Sequence, residues 1–221
     1  MDATLSPTEF IDADHPAVRE YARRAIGDAE NDRERAIRLY LAVRDDIRYD
    51  PYDIHLTVDG MKASTALSEG HGWCVSKSVL LAAAARSVGI PARLAFADVR
   101  NHLNTERLSE LMGTDVFAYH GTTELLLDGE WVRCTPAFNQ ELCERFGVTP
   151  LEWDGIGDSL FQSATDDGRE FMEYVNDRGS YDDLPLEEMI EVFTEMYPKA
   201  IAAWTDGGVE GDFGAEGEAE R

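Results

Sequence analysis

Apolar residues recur at helical spacing through the first third of the chain and fall into strand-like runs in the middle. Pro16 to about Gly27 is predicted as a helix, capped by Asp14 with proline in its first turn. Asn31 with Glu34 marks a second helix start, and Ile37, Leu39, Tyr40, Val43 and Ile47 give that helix an apolar side. Asp50-Pro51-Tyr52-Asp53 breaks the pattern, an irregular segment runs to about Met61, and Lys62 to Leu67 is a short helical turn. The next helix starts near Cys74 and carries an apolar, alanine-rich stretch from Val79 to Val88. Gly89 ends it and Pro91 forbids its continuation.

Ala92 to Val99 then reads as a strand, Asn101 to Gly113 as a polar loop with a helical turn, and Val116 to Leu127 as a long strand. Asp128-Gly129 is the strongest hairpin signal in the chain, and Glu130 to Thr135 is the returning strand. Gln140 to Phe146 is helical. Val148 to Asp183 is acidic and mixed, with helix expected near Arg169 to Val175. Pro185 opens a last helix, in which Met189, Ile190, Phe193, Met196 and Tyr197 recur at helical spacing. From Thr205 onward glycine and acid dominate, which predicts a disordered tail. The expected organisation is one domain over 1–204, with a core at about 37–139, a helical extension at 140–204 and an acidic tail at 205–221. Helices, then antiparallel strands, then helices make the fold class α+β.

Charge narrows the function. The chain has 221 residues, 43% hydrophobic, and a net charge of −24 from 44 acidic and 20 basic residues. That field repels DNA, RNA and anionic membranes, so neither nucleic acid nor membrane is an expected partner. Lysine occurs only at Lys62, Lys77 and Lys199. An acidic, lysine-poor surface fits a protein that works in high salt, where ions screen its self-repulsion. No signal peptide and no apolar run of membrane-spanning length is visible. Three cysteines at unpaired spacings argue against a disulfide framework and for a reducing cytoplasm.

The chemistry concentrates in Gly70-His71-Gly72-Trp73-Cys74-Val75-Ser76-Lys77-Ser78. Unpaired N–H groups in a first helical turn favour negative charge, so a thiol at Cys74 is expected to be biased toward thiolate, the attacking form. Of the five histidines, His120 is the candidate base, because a strand can hold an imidazole rigidly against a packed helix. A two-residue turn at Asp128-Gly129 sets Leu127 opposite Glu130 and Leu126 opposite Trp131; continued, it sets Thr122 opposite Thr135 and His120 opposite Ala137. Thr135 and Asn139 then flank His120 on one sheet face, and either could hold one ring nitrogen. Cys134 and Cys143 read as core thiols. His71, Cys74, His120 and Cys134 lack metal-ligand spacing, so neither metal nor cofactor is expected.

Gly-Trp-Cys before an alanine-rich helix ending in Gly89-Ile90-Pro91-Ala92-Arg93, with a later His120 strand, an Asp-Gly hairpin and Trp131, resembles the transglutaminase-like superfamily over about Ile37 to Asn139. The resemblance implies a papain-like core in which a nucleophile helix packs on an antiparallel sheet. It also implies Cys74 as nucleophile and His120 as base. The family's Asp before Pro is Thr135 here, and Asn139 is the favoured neutral substitute. The oxyanion is expected at the Cys74 N–H, with Trp73 and Gly72 in the substrate cleft and the second donor open among Trp73, Lys62 and the Tyr49–Tyr52 segment. The implied activity is that of a cysteine hydrolase or acyltransferase of protease or amidase type, acting on a protein, peptide or small amide through a thioester. The alternative is a binding module that kept the fold and lost the chemistry. Pro150 to Pro198 is long enough to cover or complete the cleft.

Overall fold

The computed structural model describes residues 2–102, 104–162 and 164–220; Met1, Leu103, Ser163 and Arg221, which fall in the termini, loop and acidic segment read above, lie outside the described residues. Helix α1 (Pro16–Ile26) is capped by His15, whose Nδ1 accepts from Ala17 N–H, and not by Asp14. The residue before a proline is held extended, which is what an N-cap requires, and that residue is His15. Helix α2 (Asp32–Asp46) begins at the expected cap, with Asn31 Oδ1 accepting from Glu34 N–H at 2.9 Å.

The chain then forms β1 (Arg48–Tyr49), α3 (Ala63–Glu69) and β2 (His71–Gly72), the two short strands pairing in parallel. That pair delivers the chain to α4 (Cys74–Ser87), which is buried from Cys74 through Arg86. A helix apolar all round belongs in a core, and α4 packs against α1, α2, α3 and the sheet. Its one lysine, Lys77, is fully buried and donates from Nζ to Arg44 O at 2.9 Å and Ile47 O at 2.6 Å, closing the end of α2. Burial pushes that amine down to about 7.

Strand β3 (Ala92–Asn101), helix α5 (Glu106–Met112), strand β4 (Val116–Leu127), strand β5 (Glu130–Cys134), helix α6 (Gln140–Phe146) and strand β6 (Met172–Tyr181) follow. The sheet is antiparallel, in the order β5-β4-β3-β6. Asp128 and Gly129 both have positive φ, and the hairpin register is the expected one, Leu127 opposite Glu130 and Leu126 opposite Trp131. The ladder ends at Thr123 opposite Cys134, so Thr122 and His120 have no ladder partners at Thr135 and Ala137. Pro136 lacks an N–H to continue it, and Thr135 N–H turns instead to Ser159 O at 3.0 Å.

Besides the cap of α1 and the short strands β1 and β2, which the sequence pattern does not show, two later segments depart from expectation. The helix expected near Arg169 to Val175 is instead β6, an edge strand on β3. Its middle residues, from Tyr174 to Asp177, are exposed, so it lacks the apolar alternation that reveals a strand. Beyond α7 (Leu186–Met196) and α8 (Pro198–Thr205), the stretch expected to be disordered forms α9 (Phe213–Ala219), capped by Asp212 Oδ1 accepting from Ala215 N–H. Its apolar anchor is Phe213, buried against Tyr49, Tyr52 and Phe146, and Glu216 ties it to Arg107 at 2.8 Å.

Candidate active site

Cys74 is the first residue of α4, and its approach is fixed by close packing. Trp73 N–H donates to Ser76 Oγ at 3.0 Å, capping the helix. Gly72 is required beside that cap, because a Cβ there would collide with Ser76 Oγ. On the sheet side, a Cβ at Gly121 would lie 2.9 Å from Val75 Cα and 3.2 Å from Cys74 O. Glycine at 121 therefore lets β4 press onto the start of α4 and brings the neighbouring His120 to Cys74.

His120 is aimed by an irregularity in its strand. Tyr119 stands at φ 55, and the β3–β4 register shifts between Ala97 and Val99. A non-glycine residue in that region is strained, and a bulge re-aims the side chains beside it. Asp98 Oδ1 accepts from Tyr119 N–H at 3.2 Å and pairs with Arg178, whose guanidinium lies 4.3 Å from the Tyr119 ring centre. Tyr197 steadies the same strand, its hydroxyl accepting from Ala118 N–H at 2.6 Å and donating to Val116 O at 2.9 Å.

Cys74 and His120 line one cavity of about 50 Å³. Its other walls are mostly apolar, with Tyr49, Pro51, Trp73, Phe193, Tyr197 and Phe213 among them, and Asn101 and Asn104 add polar groups. Trp73 lines this cavity, with its ring 6.0 Å from that of Phe193. Tyr49 and Pro51 represent the expected upstream segment, whereas Lys62 pairs with Asp59 and is not part of the wall.

Both central residues are deeply buried, at 6% exposure for Cys74 and 7% for His120. Burial pushes the thiol up to about 11, against the N–H groups of Gly121, Val75 and Cys74 itself, which act to lower it. The expected bias toward thiolate is thus reversed, because removing a sulfur anion from water costs more than a helix terminus returns. Burial alone brings the imidazole down to about 4. The pair at rest is neutral thiol and neutral imidazole.

The two candidate orienting residues part company. Asn139 stands at the N-cap position of α6 without a side-chain cap bond, and its Oδ1 accepts instead from Tyr49 N–H at 3.1 Å; it lines a separate polar groove with Arg48 and Arg145. No hydrogen bond joins it to His120 among the described residues. Thr135 and His120 share a small cavity with Gln162 and Met172, and Thr135 Oγ1 and His120 Nε2 are both buried without a partner. The continued hairpin count could not separate Thr135 from Asn139, because the ladder ends before either.

Sequence reading missed Gly121 and Tyr119. A glycine directly after the histidine was the available signal. It also missed Phe213, which joins the wall from the segment expected to be disordered. Cys134 and Cys143 are buried free thiols, as expected of core cysteines.

The sequence profile of the transglutaminase-like superfamily matches residues 19–136. The chain belongs to that superfamily. The matched span holds Cys74, His120 and Thr135 and ends before the helices that supply Phe193, Tyr197 and Phe213 to the cleft. Among solved structures, the transglutaminase-like chain is similar to a protein provisionally described as a cysteine protease from Cytophaga hutchinsonii, at 19% identity and a TM-score of 0.47, over 60% of this chain and 40% of that one. It is also similar to one provisionally described as a protease from Parabacteroides distasonis, at 16% identity and a TM-score of 0.38, over 57% of this chain and 25% of that one. The match spans less than half the length of either. No curated protein matches it. No helix among the described residues is long and apolar enough to cross a membrane.

Proposed function

We propose that this chain is a cysteine hydrolase or acyltransferase that opens an amide bond through a thioester on Cys74. The observation that carries this reading is the convergence of Cys74 and His120 on one apolar cavity, with the Gly121 N–H on the sulfur. The sulfur attacks the carbonyl carbon as its proton passes to His120. The developing oxyanion lies at the Cys74 N–H, where the α4 terminus favours negative charge; a donor at such a position is worth about 100–1000-fold in turnover. The C–N bond breaks, the amine leaves with the proton from His120, and a thioester remains. Water attacks it, gives a proton to His120, and releases the acid; the proton returns to the Cys74 sulfur. An amine in place of water gives transfer. Hydrolysis of a peptide or small amide in a reducing cytoplasm is the favoured form, since the catalytic thiol must stay reduced.

Thr135 is the positioning residue in this reading. Its hydroxyl can rotate to accept from an Nε2–H tautomer, leaving Nδ1 for the thiol proton. The test is mass spectrometry of the intact chain with an activated thioester. The expected result is a stoichiometric acyl adduct on Cys74, absent in Cys74→Ala and formed far more slowly in His120→Ala. Adduct formation indifferent to His120 sinks the mechanism.

A second reading, a binding module without chemistry, is favoured by the depth of burial and by the absence of a carboxylate beside His120 among the described residues. It predicts no adduct at any pH.

A further inference from the structure

As it stands, the cavity at Cys74 admits no substrate. Its volume is about 50 Å³, well below the roughly 150 Å³ that holds a benzene ring, and Cys74 is buried. Such a site acts only after one of its walls moves, and the walls differ in how firmly they are built. Trp73, Ala118 and His120 belong to the packed start of α4 and to the sheet. Phe213 belongs to residues 206–220, which carry six carboxylates and no basic residue. That segment lies outside the span 19–136 matched by the superfamily.

Apart from the Phe213 ring, polar contacts do most of the holding. Glu216 pairs with Arg107 Nε at 2.8 Å and accepts from the Tyr52 hydroxyl. Glu106 N–H donates to Glu220 Oε2 at 3.0 Å, and Arg107 Nη1 donates to Glu210 O at 2.8 Å. The segment is thus latched to the start of α5 and to Tyr52. Arg107 is itself half exposed, so water and salt compete for its pairs. The upstream end is Gly207-Gly208, with φ of 107 and 90, directly after α8. Two successive glycines in the left-handed region leave the chain free to turn there, as a hinge requires. An element with one aromatic anchor, exposed ion pairs and a glycine hinge opens at low cost.

The segment also stands between two spaces. Phe213 lines the cavity that holds Cys74, whereas Gly211, Asp212 and Gly214 around it line the polar groove of about 320 Å³ with Arg48 and Asn139. Tyr49 lines both spaces. Withdrawal of the segment therefore opens the cavity into the groove. We propose that residues 206–220 are an autoinhibitory plug, hinged at Gly207-Gly208 and latched by Glu216 on Arg107, and that substrate reaches Cys74 through the groove only when the plug swings out. The proposal rests on the reading of Cys74 as the acyl-accepting residue. It adds the regulation of that site: the closed form is the resting, inactive one, and the polar groove is the route of approach.

The test is the rate at which iodoacetamide alkylates each cysteine of the full chain, read by peptide mass spectrometry, with amide hydrogen exchange of residues 213–219 followed alongside. Neither Arg107 nor Gly217 lines the cavity, so an effect of either on Cys74 passes through the plug. Arg107→Glu breaks the latch. Gly217→Leu prises α9 away from Phe146, because a Cβ at 217 would collide with that ring. Each is expected to speed exchange of 213–219 and to raise alkylation of Cys74 about tenfold or more, with the core thiol Cys134 unchanged. Adding Glu216→Arg to Arg107→Glu re-forms the pair with its charges reversed and is expected to recover part of the protection. Exchange that stays slow in both single variants, faster exchange without faster alkylation of Cys74, equal acceleration of Cys74 and Cys134, or no recovery in the reversed pair overturns the proposal. Alkylation reports access, whereas acylation by an activated thioester reports chemistry. Access that follows the plug with no acyl adduct would remove the catalytic reading alone, and an adduct on a Cys74 indifferent to the plug would remove this one alone.

Discussion

Burial acts in opposite directions on Cys74 and His120, raising the thiol to about 11 and lowering the imidazole to about 4. Between those values neither group changes charge. The pH profile of kcat/KM is therefore expected to be a broad plateau, falling on the acid side as His120 protonates and changing on the alkaline side only as the thiol ionises. A narrow bell, with both limbs close to neutrality, would contradict this. The same lowered imidazole has a stability consequence: the unfolded chain takes up a proton below pH 6.5 and the folded chain does not until about 4. Stability is thus fully present above 6.5 and lost as pH falls toward 4, by on the order of 3 kcal/mol. Thr135→Asp restores a carboxylate beside His120 and is expected to move the acid limb upward and to speed alkylation of Cys74 near neutral pH; no change in either would remove Thr135 from the site. Gly121→Ala puts a methyl group 2.9 Å from backbone that cannot yield. It is expected to cost about 1–3 kcal/mol of stability, read from denaturant titration, and to slow acylation of Cys74 by more than tenfold, since small displacements of reacting groups cost that much.

At the level of elements, local signals and long-range pairing divided the work. The bounds of β4 and α6 are those read from sequence, because a hairpin turn of Asp-Gly and a C-terminal glycine at Gly147 act within a few residues of what they specify. Strand β6 was not legible as a strand. What makes it one is hydrogen bonding to β3 about eighty residues earlier, along an edge whose charged side chains carry no alternation. Helix α9 was unreadable for a related reason: Phe213 is a lone anchor until Tyr49, Tyr52 and Phe146 gather around it. Phe213 also walls the cleft, so the C-terminal helix partly encloses the candidate nucleophile. Phe213→Ala is expected to raise the alkylation rate of Cys74 by about tenfold, with Cys134 and Cys143 unaffected, as followed by peptide mass spectrometry. Equal acceleration of all three thiols would indicate general loosening and remove the role of a cover.

For the whole molecule, charge sets the conditions and the core sets the shape. With 44 acidic residues against 20 basic ones, self-repulsion opposes compaction until salt screens it. The melting temperature is expected to rise between about 0.05 M and 1 M potassium chloride, where the Debye length falls from over 10 Å to about 3 Å. Unchanged or falling stability would remove the reading of this surface as adapted to salt. The sequence by itself determined most of the main helices and the β4–β5 hairpin, the start of the helix at Cys74 and the superfamily, because each is written in contiguous residues and short-range motifs. Tertiary structure decided the burial of Cys74 and His120, that Thr135 and not Asn139 shares a cavity with His120, and the closing of the cleft by residues from Phe193 to Phe213. Those outcomes depend on which groups lose water and which distant segments meet, and neither is encoded by near neighbours along the chain.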